Sequence, residues 1–492
     1  MKNCAVALIL SMLAAPLLAA PWISPSDLHL RADLQRLADE GFITVPLTTF
    51  PLMWAGIQDN IQSNSDADLS DGGLESLRRV RHRMTVETGK GFIGSASFGA
   101  GTDTPRFQHF GSDNREQGET QLSAEYMGDR FAGKLAVTYA FDAQDDEDFR
   151  LDGSYVAAVW GNWVFSAGQI EQWYGPGMDT SLLMSTNARP MPGLHLTRNN
   201  PKAFESKWLS WIGPWTLTTG VSWMNDDERE VQDTLLYTFR ATIKPIPQLE
   251  LGVSRAAQLC GDGYSCSASV WGDMLTGKDN TGRDGIDADN EPGNQIASID
   301  ARWGDTLYGV PYGLYVESMG EDGFGLDKFP PFQAKSYLWG ADVSYELLGQ
   351  QIRTFFEYSD TAAWCNDRYD CAYEHHRYKS GMRYNGRVIG STYDNDTFAY
   401  VLGNIGFAPN GHQWKLNLRF LDINHDNSNS SAPGGNPVSD VAEETYQLEA
   451  GYIMPLGEGR LSVTAEVSRS TFKDDIDSDT DANLWASWEI KF

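Results

Sequence analysis

From about Gly91 to Phe492, apolar and polar residues alternate with a period of two, the pattern of strands with one buried and one solvated face. Leu135, Val137, Tyr139 and Phe141 alternate with Lys134, Ala136, Thr138 and Ala140. The same register runs through Leu235, Tyr237, Phe239, Ala241 and Ile243, through Trp414, Leu416, Leu418 and Phe420, and through Leu461, Val463, Ala465 and Val467. Before Gly91 the period is helical. Ser24 or Ser26 can cap a helix, Asp27 suits its positive start, Leu30, Leu34, Leu37 and Ala38 recur at helical spacing, and Gly41 ends it. In the linker that follows, Pro46 and Pro51 oppose a long helix. A second amphipathic stretch runs from about Asp68 to Met84, with Leu74, Leu77, Val80 and Met84 on one side. The pattern predicts a helical unit over residues 21–85 and an all-β unit over 86–492.

Alternation alone fits a soluble sandwich or a membrane barrel, and the connections separate the two. Short turns at Gly128 to Arg130, Gly161 and Asn162, Gly213 and Pro214, and Pro245 to Gln248 alternate with long acidic segments. The long ones are Asp142 to Asp152, Gln258 to Asn294, Asp360 to about Asp396, and Asn424 to Asp440. Short turns on one rim and long loops on the other mark an outer-membrane barrel. The last strand, NLWASWEIKF, places Leu484, Ala486, Trp488, Ile490 and Phe492 on one face, and Trp488, Ile490 and Phe492 fit the terminal signal for barrel insertion. Counting strands gives about 18, with a margin of two, an even number as such barrels require. Such a barrel normally encloses a wide lumen. The inward positions are Glu125, Lys134, Arg240, Lys244, Glu250, Asp300, Arg302, Glu317, Asp342, Glu346, Arg353, Glu357, Lys415, Arg419, Glu449 and Glu466. They carry both signs, which suits a solvated lumen crossed by salt bridges.

Composition narrows the compartment and the partners. The chain of 492 residues has 67 Asp and Glu against 38 Lys and Arg, a formal charge of −29, which argues against nucleic acid as a partner. Residues 1–20, MKNCAVALILSMLAAPLLAA, read as a cleavable secretory signal, with cleavage expected after Ala19. Cys4 leaves with it. Cys260 with Cys266 and Cys365 with Cys371 are two equally spaced pairs on the long-loop side, as expected of two local disulfides in an exported protein; free thiols or a zinc site are the alternative.

The stretches PWISPSDLHLRADLQRLADEGFITVPLTTFPLMWAGI, QWYGPGMDTSLLMSTNARPMPGLHLTR and WLSWIGPW, in that order, resemble the capsule-assembly protein Wzi family of Gram-negative outer membranes, over essentially the whole mature chain. The resemblance implies a monomeric 18-stranded barrel whose periplasmic end is blocked by the N-terminal helices. It implies a surface attachment point for capsular or related exopolysaccharide rather than an export channel, and no catalytic residues.

Within the second stretch, Trp173, Tyr174, Asn187 and Arg189 are candidate glycan contacts: flat aromatic faces stack on sugars and polar groups fix their hydroxyls. The same aromatics would equally suit an interfacial girdle. The acidic runs Gly277 to Gly293 and Asp474 to Asn483 are ordinarily solvated surface, though their carboxylates could hold Ca²⁺ that bridges to an anionic glycan. No other cofactor is expected. Enzyme motifs GxSxG, HExxH and the P-loop are absent, and His82, His109, His195, His375, His376, His412 and His425 are scattered. The reading is a non-enzymatic, lectin-like outer-membrane barrel that attaches capsular polysaccharide. The alternative is a cation-preferring porin.

Overall fold

The computed structural model describes residues 22–227, 229–276, 293–321, 335–363, 370–428, 436–473 and 478–492. The signal segment, Cys365, residues 277–292 of the first acidic run and residues 474–477 of the second lie outside the described residues.

The period-two region closes on itself as an antiparallel barrel. Its strands, numbered in chain order, are β1 (Gly91–Gly101), β2 (Gly118–Met127), β3 (Phe131–Phe141), β4 (Phe149–Arg150 continuing as Tyr155–Trp160), β5 (Trp163–Gln169) and β6 (Pro192–Arg198). There follow β7 (Trp215–Met224), β8 (Thr234–Ile246), β9 (Leu249–Leu259), β10 (Gly293–Leu307), β11 (Val310–Glu321) and β12 (Lys335–Leu347). The set ends with β13 (Gln350–Asp360), β14 (Thr397–Phe407), β15 (Gln413–Ile423), β16 (Glu443–Leu456), β17 (Gly459–Phe472) and β18 (Ser478–Lys491). Both pieces of β4 pair with β3, so the described residues form 18 barrel positions. Where β4 breaks, the Ser154 hydroxyl bonds both the N–H and the C=O of Ala136, each at 2.9 Å, and satisfies the backbone the gap leaves bare. β18 pairs with β1, and Phe492 and Gly94 exchange backbone hydrogen bonds of 2.7 and 2.9 Å at the seam.

Outward residues of the strands are apolar and exposed, among them Leu122, Leu135, Leu194, Leu314, Leu402 and Leu418. Toward the long-loop end an aromatic row runs across β13 to β16, with Tyr358 and Tyr400 at 4.9 Å and Phe420 and Tyr446 at 4.9 Å. An apolar belt edged by aromatics is what a barrel sealed by lipid requires. The turns Tyr308–Gly309 and Leu348–Gly349 have positive φ at both residues, as two-residue hairpins demand. One expected short turn is different. Gly213 and Pro214 only finish a connection over residues 199–214, which holds a 3₁₀ turn (Ser210–Ile212) and exposes Trp208 and Trp211.

Among the described residues three α-helices precede the barrel. α1 (Leu28–Asp39) is capped by Asp27, whose carboxylate accepts from the Leu30 N–H at 2.9 Å, rather than by Ser24 or Ser26. Gly41, at φ 76°, stands at its end as expected. α2 (Trp54–Ser63) starts inside the segment expected to be a linker: Pro51 precedes a helix without entering it. α3 (Asp71–Glu87) is capped by Ser70. α1 is not amphipathic in its setting, because all twelve of its residues are buried. It lies inside the barrel near the short-turn end, where Asp39 meets Arg302 of β10 at 2.7 Å and Arg353 of β13 at 2.9 Å. α3 packs on it through Arg79 and Asp33 at 2.6 Å.

Candidate functional site

The segment between β5 and β6, residues 170–191, folds into the barrel rather than out of it. Its Trp173 and Tyr174 form a two-residue ladder with Thr49 and Phe50 of the N-terminal segment. Phe110, from the β1–β2 connection, packs edge-on against both Phe50 at 4.9 Å and Trp173 at 5.2 Å, with the Arg31 guanidinium 4.4 Å from its ring centre. Three separate stretches of chain thus meet at one aromatic joint in the middle of the lumen.

The barrel wall holds this inner loop by its backbone. Glu357 accepts the N–H groups of Met178 at 2.6 Å and Thr180 at 3.1 Å, and Glu317 accepts that of Leu182 at 3.2 Å. Arg419 reaches Asp179 and Glu449, each at 2.7 Å. Arg31 of α1 donates to the carbonyls of Pro176 at 2.9 Å and Gly177 at 2.7 Å. Glu250 takes the Leu47 and Thr48 N–H groups at 2.9 Å, while Arg240 holds Asp300 at 2.7 Å. The inward charges of these strands are therefore not in a solvated lumen as expected. They are buried and spent on the backbone and side chains of the segments that fill it, because a buried ion persists only where partners replace its water. Above the inner loop, residues 370–396 fold back over it: the Tyr373 hydroxyl donates to the Leu182 carbonyl at 2.6 Å, and Tyr378 donates to the Cys260 carbonyl at 3.0 Å. Two lumen cavities beside β16 and β17 hold about 50 and 20 Å³, space for a few waters and far too little for a sugar.

The four candidate glycan contacts have structural duties instead. Trp173 and Tyr174 are 0% exposed, so neither ring offers a face to a saccharide. Asn187 accepts the Gln108 N–H at 3.3 Å and donates to the Val388 carbonyl at 3.4 Å, tying three loops together. Arg189 is enclosed by Asp145 at 2.6 Å, Glu147 at 2.7 Å and Asp152 at 2.9 Å. Those three carboxylates hold its guanidinium protonated more firmly than usual, even though burial works against the charge. The sequence motif was sound as a signature of the inner loop but not as a list of ligand contacts.

The outer mouth is built above them from residues 102–117, 142–148 and the hairpin Arg383–Tyr384 with Arg387–Val388. The hairpin turns at Asn385 and Gly386, both at positive φ, and Arg383 roots it by pairing with Asp394 at 2.6 Å and Glu374 at 2.5 Å. Arg387 then donates to the carbonyls of Pro105 at 2.9 Å and Arg106 at 3.2 Å and to the Gln144 amide oxygen at 2.8 Å. Arg115 donates to the carbonyls of Asn187 and Thr186, each at 2.8 Å. These two arginines were missed in the sequence. The Asn385–Gly386 dipeptide is a readable hairpin signal, and an arginine directly after it was the only available hint.

Cys260 and Cys266 are disulfide-bonded, as expected. Cys371 is disulfide-bonded too, and its expected partner Cys365 lies outside the described residues. Among the described residues no three His, Cys, Asp or Glu side chains converge as metal ligands. Trp488 and Ile490 lie on β18, and Phe492 directly follows it at the seam.

Comparison with known proteins agrees with this architecture. The profile of the capsule assembly protein Wzi family matches residues 90–484. An uncharacterized 55.8 kDa protein of the cps region of Klebsiella pneumoniae is 31% identical over 357 residues, 72% of this chain and 68% of that protein. The solved structure of Wzi from Escherichia coli, described as an outer membrane protein involved in group 1 capsule assembly and a carbohydrate-binding β-barrel, superposes with a TM-score of 0.82. That match has 25% identity and covers 96% of this chain and 99% of the other. With its closed barrel, internal helices and near-complete structural correspondence, this chain belongs to the capsule assembly protein Wzi family.

Proposed function

We propose that this protein is a monomeric, non-enzymatic attachment point for capsular polysaccharide on the outer face of the outer membrane. In this reading the short-turn end faces the periplasm, the 21–85 unit is its plug, the long loops face outward and lipid covers the apolar belt. One observation carries the reading: the lumen is occupied through its depth by α1, the inner loop and residues 370–396, while the chain corresponds over 96% of its length to a carbohydrate-binding barrel. A polymer cannot thread such a barrel, so glycan must engage it from outside. Its work is to hold a product made and exported by other machinery.

Deleting the gene and following polysaccharide in cell-bound and culture-fluid fractions tests this. The expected result is loss from the cell surface with continued release into the medium. Undiminished attachment rejects it. The porin alternative predicts a large single-channel conductance in planar bilayers, whereas the filled lumen predicts none.

A further inference from the structure

The outer mouth is acidic, and most of its arginines are matched by acids. Arg106 pairs with Glu443 at 2.6 Å, and Arg150 pairs with Glu116 at 2.6 Å and Asp145 at 2.7 Å. Arg189 takes three carboxylates. Arg115 and Arg387 stand apart. Both are half-buried, and among the described residues neither has a carboxylate within 4.0 Å. Each is held in place by main-chain carbonyls, which orient a guanidinium but do not neutralise it.

The two charges also feel one another. Burial, and then the charge of Arg115, push Arg387 down to about 10. Glu116 and Asp145 pull it partly back up from a distance, and it remains charged at neutral pH, so the pair keeps two positive charges with no carboxylate in direct contact among the described residues. The positions are fixed: Arg387 follows a tight Asn-Gly turn rooted by Arg383, and Arg115 is pinned to the inner loop beside Asn187, whose side chain touches the strand of Arg387. Each guanidinium has five N–H donors, and Arg115 spends two and Arg387 three on the protein. The unspent donors suit one chemistry above others, a planar carboxylate taken in a forked, charge-assisted contact. On a chain of formal charge −29 a polyanion is otherwise repelled, so such a local exception decides where it can land.

We propose that Arg115 and Arg387 together form a receiving site for a carboxylate of an acidic capsular polysaccharide. The proposal rests on the attachment reading and names the ligand class: a glycan carrying acidic sugars or carboxyl-bearing substituents. The site uses direct charge pairing and requires no bridging cation.

The test uses full-length protein in detergent and two probes: capsular polysaccharide purified from the producing cell, and the same material after chemical reduction of its carboxyl groups. Wild type is expected to bind the native polymer at least about tenfold more tightly than the reduced one. The variant Arg115→Gln with Arg387→Gln is expected to lose that preference, and Arg115→Lys with Arg387→Lys to keep part of it. Equal binding of native and reduced polymer by wild type, or an undiminished preference in the Gln variant, overturns the site while leaving polysaccharide attachment intact. Failure of wild type to bind either polymer rejects the attachment reading itself. Should the Gln variant not fold, salt dependence of wild-type binding decides: about tenfold weakening between low and high salt is expected, and a flat response overturns the site.

Discussion

Two walls of the same barrel treat their inner faces in opposite ways. Along β8 to β13 the inward residues include many large charged ones, yet Arg240, Glu317, Arg353 and Glu357 are all at most 2% exposed. Along β17, β18, β1 and β2 the inward residues are mostly small and neutral, as in Thr464, Ser487, Ser95, Ser97 and Ser123, and they are half-exposed. Buried charge thus clusters on the dry wall, beside buried hydroxyls such as Ser254 and Ser298, while the wet wall is lined mainly by small neutral groups. The reason is that the dry wall has backbone to hold. An inserted loop brings N–H and C=O groups with no ladder partner, and carboxylates and guanidiniums satisfy several at once. The wet wall faces little inserted backbone, so water suffices.

The largest way to break this contrast is Asp39→Ala. It leaves Arg302 and Arg353 sharing Asp342 alone, and loss of one partner from a buried ion network costs about 3–5 kcal/mol. Faster proteolysis of the N-terminal helices and the appearance of ion conductance in planar bilayers are expected; unchanged resistance to protease counts against the dry wall as the plug's anchor. Next comes acid. His29 lies on α1 against the Trp414 carbonyl at 3.1 Å, and burial pushes its pKa down to about 4. A depressed histidine favours the native state above the unfolded value of 6.5, and that contribution is lost as pH falls from there toward 4. The loss is on the order of 3 kcal/mol at most, and denaturation midpoints measured across this window should fall in wild type and stay flatter in His29→Asn. Glu357→Gln removes the carboxylate that gathers the Met178 and Thr180 N–H groups, at a cost of about 1–3 kcal/mol. It should loosen the inner loop specifically, seen as faster amide hydrogen exchange there with β1 and β2 unaffected. Smallest of all, Thr464→Ala or Ser487→Ala on the wet wall should move stability by no more than about 0.5 kcal/mol, and a larger loss would show that wall to be packed after all.

The barrel was legible in the sequence because alternation is a direct imprint of two environments on one strand. Lys134, Arg240 and Glu449 fall on the inward side as expected. The same imprint is silent about what lies beyond the inward face, since a charged side chain satisfies the pattern in water or against a buried loop. The inner loop carries no periodicity of its own, so Trp173 could equally be read as a sugar platform or as core. α2 is hidden for a simpler reason: Pro51 reads as a barrier in the sequence, though proline obstructs a helix only from within it. Arg115 and Arg387 were hidden because an unpaired charge is defined by neighbours distant in sequence.

The join between plug and barrel has a consequence of its own. α3 ends at Glu87 and β1 starts at Gly91, so only residues 88–90 separate them. Three residues span about 10 Å at full extension. The C-terminal end of α3 would stay within about that distance of β1 if the helices left the lumen, which keeps them at an effective concentration in the millimolar range. Release would therefore be brief and self-reversing: the stopper is leashed to its own bottle, and any breach of the barrel closes at a rate set by the leash rather than by encounter.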